Sequence, residues 1–102
     1  MSNEPIIKTD NVLVRIMVLG KDASTAWHYH SRVGDFFVCL TGIIQLETRN
    51  PDDLVVLLPG QRAQAKAQQV HRVTNINKGQ SEYLLVQGVG EYDFVKVETP
   101  VG

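Results

Sequence analysis

Short apolar runs alternate with turn residues along most of the chain. β-Branched, aromatic and other apolar residues dominate positions 12–19, 36–40, 43–48, 54–58, 83–86 and 92–97. Between or beside them fall Gly20-Lys21-Asp22, Gly34-Asp35, Thr41-Gly42, Asn50-Pro51-Asp52-Asp53, Pro59-Gly60, Asn77-Lys78-Gly79 and Gly88-Val89-Gly90. Each break carries Gly, Pro, Asn or Asp, which supply a positive φ, a fixed φ or a side-chain bond to the local backbone. Short strands punctuated this way, with almost no helical signal, predict an all-β sandwich or barrel. The alternation over 92–97 suits a strand with one wet face. Leu54-Val55-Val56-Leu57-Leu58 is apolar throughout, which predicts a strand covered on both faces.

One segment pulls the other way. Residues 61–69, Gln-Arg-Ala-Gln-Ala-Lys-Ala-Gln-Gln, are good helix formers by propensity. Their alanines fall at 63, 65 and 67, a two-residue period that favours a strand with a small-residue inner face. No internal repeat, low-complexity tract or linker interrupts the chain. Residues 1–11 read as a loose arm or an added edge strand, and 98–102 as a tail.

Composition narrows the function. The chain has 102 residues, one cysteine and a formal net charge of -1, from 10 Lys and Arg against 11 Asp and Glu. One domain is the natural count, and a chain of this size buries roughly two-thirds of its unfolded surface without a staple. A lone Cys39 excludes a disulfide scaffold. Near-neutrality with scattered basic residues argues against nucleic acid or an anionic membrane as main partner. No apolar run approaches the roughly 18 residues that span a bilayer, and the first residues lack the pattern of a signal peptide, so a cytoplasmic address is the expectation.

The candidate chemistry sits in two places, Trp27-His28-Tyr29-His30 and Val70-His71-Arg72, which hold all three histidines of the chain. On a strand, His28 and His30 point to the same face, close enough to share one ion. Imidazole is the commonest protein ligand for divalent transition metals. Asp35 follows His30 by five residues and opens the apolar run 36–40. Taken singly, His28 and His30 read equally as a surface pair, Asp35 as a turn residue and His71 as a half-buried histidine. Their combination and order carry more than any one of them.

In that order the sequence resembles the cupin superfamily, small β-barrels of two facing sheets. The family's first motif runs Gly, His-x-His, three or four residues, Glu, six residues, Gly; here His28-Tyr29-His30, four residues, Asp35, six residues and Gly42 match from the histidines onward. The second runs Gly, five residues, Pro-x-Gly, two residues, His, three residues, Asn; here Gly60, His71 and Asn75 fall in register. The resemblance spans residues 12–97 and implies a single double-stranded β-helix, or jelly-roll, barrel there. It implies His28, His30, Asp35 and His71 as ligands of a divalent transition metal, Fe, Mn, Ni, Zn or Cu. The chain departs from the pattern in three places. Asp35 replaces Glu, which shortens the carboxylate's reach by about 1.5 Å, so that either the strand sits closer, or the carboxylate binds through water, or three histidines alone hold the ion. Lys66 and Gln68 replace the Pro and Gly of the second motif, and Gly20 lies two residues further from His28 than the pattern has it.

Counting by twos along the strands puts Phe37, Cys39, Val73 and Asn75 on the ligand face, giving a mostly apolar pocket suited to a small aromatic or aliphatic ligand. Cys39, about 13 Å along from Asp35, is expected as a small core residue on that face and not as a ligand. Asn75 is expected to hydrogen-bond backbone around His71 and orient its ring. Tyr83, Gln87, Arg32 and Arg72 are further candidates near the site, each equally readable as an ordinary strand or surface residue. The implied function is a metal-dependent enzyme on a small molecule, with oxygenase chemistry first and isomerisation possible; the alternative is a non-catalytic binder or sensor of a small ligand. The opposite faces, with Trp27 and Tyr29 and with Phe36, Val38 and Leu40, are also apolar and predict a homodimer.

Overall fold

Strand pairing follows the apolar runs in a computed structural model that describes residues 5–9, 12–88 and 95–97. The expected tail at 98–102, the first half of the 92–97 strand and part of the 1–11 arm lie outside the described residues. The strands are β1 (Pro5–Lys8), β2 (Leu13–Leu19), β3 (His28–Tyr29), β4 (Asp35–Thr41), β5 (Ile44–Thr48), β6 (Asp53–Leu57), β7 (Arg62–Ala65), β8 (His71–Asn75), β9 (Ser81–Gln87) and β10 (Val95–Lys96). They form two five-stranded antiparallel sheets, ordered β1-β2-β9-β4-β7 and β10-β3-β8-β5-β6. This is the all-β, double-sheeted jelly roll that the turn spacing and motifs predict. No helix among the described residues is long and apolar enough to cross a membrane.

Alternation decides what lies between the sheets. The buried positions of β8 and β5 are His71, Val73 and Asn75, and Ile44, Leu46 and Thr48; those of β9 and β4 are Ser81, Tyr83, Leu85 and Gln87, and Asp35, Phe37 and Cys39. Along these strands the inner face is polar at one end, apolar in the middle and polar again at the other. The middle is the core, with Ile44, Phe37, Leu46 and Tyr83 all at most 2% exposed.

The far polar end is a hydrogen-bonded knot. Asn75 donates from Nδ2 to the carbonyls of Leu19 (3.1 Å), Gly20 (2.8 Å) and Gly79 (2.8 Å), and its Oδ1 accepts from Ser81 Oγ (2.6 Å) and Asn77 N (2.9 Å). Gly42 makes room for it: its φ is +77°, and a Cβ there would lie 2.7 Å from Ser81 Cβ. The expected role of Asn75 beside His71 is therefore corrected. Four residues along a strand carry it about 13 Å away, where it closes the barrel.

Two other expectations meet pairing and edge position. Residues 61–69 do not form a helix; Arg62–Ala65 pairs with β4, and Ala65, opposite Asp35, is fully buried. The strand stops there, so Ala67 lies in a turn and not on an inner face. Tertiary pairing has outweighed helix propensity. The run 54–58 is not covered on both faces. β6 ends its sheet, pairing only with β5, and Leu54 (54%), Val56 (44%) and Leu58 (48%) are exposed. Apolar composition records what a strand could bury, not whether a layer exists to cover it.

Candidate metal centre

Four strand ends converge at the near polar end. His28 lies in β3, His30 just beyond it, Asp35 opens β4 and His71 opens β8, opposite His28 in the ladder. All four are buried, and one ligand atom from each lies within 4.8 Å of the others. His30 and His71 bring Nε2 to the same carboxylate oxygen, Asp35 Oδ2, each at 2.9 Å. The shorter Asp35 side chain thus reaches two imidazoles. Gly34 sits where a Cβ would come within 3.2 Å of the Ala65 carbonyl oxygen, so its hydrogen side chain lets β7 pack close.

Proton positions follow from the partners. A carbonyl only accepts, so His71 donates Nδ1–H to Gln69 O (2.8 Å) and His28 donates Nδ1–H to Ala26 O (2.7 Å). Neutral His71 then turns an unprotonated Nε2 toward a carboxylate oxygen, lone pair against lone pair. That contact is stable only with a positive charge at the centre, a second proton or a metal ion. Imidazole nitrogens and a carboxylate, backed by carbonyls that fix the ring orientation, are a donor set for a divalent transition metal. The residues fit such an ion.

The surroundings also set the protonation of the cluster. Burial lowers the pKa of His28 from 6.5 to about 4, with the neighbouring histidines adding to the effect and the Ala26 carbonyl opposing it. Burial alone would raise Asp35; the His30 and His71 rings against its Oδ2 and the Gln87 amide on its Oδ1 outweigh it and hold the carboxyl well below the usual range. Gln87, opposite Asp35 on β9, donates from Nε2 to Asp35 Oδ1 at 2.9 Å. Gln87 is the positioning partner among the sequence candidates. Arg72 instead bonds Glu47 Oε1 at 2.8 Å. Arg32 is exposed.

A cavity of about 160 Å³ opens beside the cluster. Phe37 and Val73 line it, as do Met17 and Leu85, with Tyr83 and Arg15 as polar members. Cys39, counted on the pocket face, does not line the cavity; it is the small core residue expected, its Sγ 3.6 Å from the Thr41 and Gly42 carbonyls. Counting by twos gives the face of a strand but not the depth along it. Arg15 was not foreseen; the signal was a charge at an inward position of an otherwise apolar strand. Burial pushes the Tyr83 phenol well above its usual 10, with Asp35 adding and Arg15 opposing. A larger cavity, about 560 Å³, lies by β6 and β7. Its charged members Asp53 and Lys66 are both exposed and it holds no histidine; the histidine cluster borders the smaller one.

No family model and no curated protein matches the sequence. Solved structures do. A conserved Klebsiella pneumoniae protein with a double-stranded β-helix domain is similar at TM-score 0.83 and 21% identity, over 96% of this chain and 84% of that one. A cupin superfamily protein from Desulfitobacterium hafniense is similar at TM-score 0.73 and 15% identity, over 85% and 75%. Oxalate oxidase is similar at TM-score 0.78 and 14% identity, over 84% of this chain but 46% of the enzyme. The fold is the double-stranded β-helix of the cupin superfamily.

Proposed function

We propose that the chain is a metal-dependent enzyme acting on a small molecule inside the barrel, with oxygenase-type chemistry ahead of isomerisation. One observation carries this reading: a buried carboxylate oxygen faces His71 Nε2 at 2.9 Å while His71 gives its Nδ1–H to the Gln69 carbonyl, a contact that calls for a cation. His28, His30, Asp35 and His71 would hold a divalent ion, which would supply Lewis acidity toward a substrate oxygen or dioxygen. The chain's own residues prepare the place. His28 stays neutral, Gln87 fixes Asp35, and Phe37, Val73, Met17 and Leu85 keep water from the wall. The likeness to an oxalate oxidase supports oxidative chemistry as the first choice.

A second reading, a non-catalytic binder of a small ligand, is favoured by the absence of a poised acid or base among the described wall residues outside the histidines. Tyr83 is pushed well up and Asp35 is held well down. Metal analysis of protein purified without a histidine tag tests the shared premise. We expect close to one equivalent of a transition metal, strongly reduced in His30→Ala; less than a tenth of an equivalent after reconstitution, or unchanged occupancy in the variant, overturns it. Oxygen uptake with a panel of small aromatic, dicarbonyl and carboxylic compounds then separates enzyme from binder.

The homodimer is proposed for one sheet only. Trp27 is covered, with the Arg49 and Arg72 guanidinium groups 4.4 and 4.6 Å from its ring, but Phe36 and Leu40 remain 36% and 38% exposed on the outer face of β4.

A further inference from the structure

Arg15 is an anomaly in its strand. β2 pairs with β9 in strict register, Leu13 with Gln87, Arg15 with Leu85 and Met17 with Tyr83, so Arg15 has the same inward phase as Leu13, Met17 and Leu19. It lines the small cavity together with His28, His30 and Asp35. Its Nε is buried and has no hydrogen-bond partner. A guanidinium facing the interior without an acceptor on one of its donors is unfavourable unless something else supplies that acceptor. No salt bridge to Arg15 occurs among the described residues; Asp35, the acid on the same wall, is engaged by His30, His71 and Gln87.

Distance and charge agree. Arg15 stands two strands and two residues from Asp35, so their Cα atoms are about 12 Å apart by sheet geometry. An arginine side chain covers roughly half of that, leaving room for a small molecule between guanidinium and cluster. Arg15 and Asp35 cancel, so a divalent ion leaves the wall with two positive charges and favours an anion. The cavity, about 160 Å³, is close to one of 150 Å³ that holds benzene, which limits an enclosed ligand to about eight heavy atoms. Planar, bidentate recognition of a carboxylate is what guanidinium does best. Met17 and Leu85 add apolar wall, suited to a short carbon chain.

We propose that the cavity takes a small carboxylate, its anionic end held by Arg15 and its other end turned toward the His28, His30, Asp35 and His71 cluster. This rests on the metal-site reading for the orientation of the ligand. Arg15 is then a substrate-binding residue that sets the charge class of the substrate.

The test uses cobalt(II)-loaded protein titrated with propionate and with propionamide, which match in size and differ in charge, followed by calorimetry and by the cobalt visible spectrum. Propionate should bind saturably and at least tenfold tighter than propionamide. Arg15→Met should weaken propionate about 10- to 100-fold and remove the preference, while cobalt content stays unchanged; Arg15→Lys should keep part of it. Equal binding of the two probes by the wild-type protein, which needs no variant, overturns the proposal, as does unchanged propionate affinity in a cobalt-replete Arg15→Met variant. If the wild-type protein takes up no cobalt, the metal reading fails by itself. Calorimetry on the metal-free protein then decides the Arg15 assignment by the same comparison.

Discussion

Replacing Gln87 with leucine tests how Asp35 is held. The side chain is 2% exposed; its Nε2 donates to Asp35 Oδ1 at 2.9 Å and lies 3.3 Å from His30 Nε2. A hydrogen bond to a buried charged group contributes about 1.5–3 kcal/mol. Leucine restores apolar burial, and the native Gln87 Oε1 has no partner to lose, so a net loss of about 1–2 kcal/mol is expected in the metal-free protein. Without that bond Asp35 is held through Oδ2 alone, and an outer partner of a metal ligand typically governs about 10- to 100-fold in metal affinity. That range converts to about 1.4–2.7 kcal/mol, in agreement with the hydrogen-bond figure. Competition against a chromogenic chelator at neutral pH measures the affinity, and urea unfolding in EDTA measures the stability. Gln87→Glu adds a control: with two carboxylates in contact one is held protonated, so its deficit in metal affinity should change with pH. A folded Gln87→Leu protein whose affinity lies within threefold of wild type refutes the reasoning.

Acid should weaken the metal-free fold through His28. Its folded pKa of about 4 lies below the unfolded 6.5, so the unfolded chain binds more protons between those values. Stability present above pH 6.5 is lost as pH falls toward 4, by up to about 3 kcal/mol; urea unfolding across that window should show this slope in wild type and not in His28→Asn. Gly42→Ala should destabilise by about 3 kcal/mol, since it combines a left-handed backbone position with a collision on buried Ser81, and a melting temperature within two degrees of wild type contradicts the packing described. Phe36→Lys should shift a sedimenting dimer toward monomer; a wild-type monomer mass independent of concentration counts against the interface.

Much of the fold was legible because turn chemistry and alternation are local. Gly42, Asn50 and Gly60 do have positive φ, and the alanine period in 61–69 pointed to β7 although propensity pointed to helix. The four clustered residues were legible because motif spacing records which strand ends meet. What escaped depends on the third dimension. Gln87 was named among the candidates near the site, but its pairing with Asp35 from 52 residues away is a register that no local pattern reveals. Arg15 was hidden in a run read as apolar, where one charge at an inward phase was the available sign. Gln68 stands where the resembled family has Gly and still adopts a φ of +66°, so that backbone shape is kept at some strain.

The Asn75 knot gives the barrel an internal division of labour. On β8 the histidine that serves the site and the asparagine that fastens the chain occupy opposite ends of five residues. One end can be rewritten while the other keeps the shape. Changes at Arg15, Met17 or Leu85 would alter what enters; changes at Gly42, Asn75 or Ser81 would alter whether there is anything to enter. A scaffold with its foundation and its doorway on the same strand, but not in the same place, is free to acquire a new guest without being rebuilt.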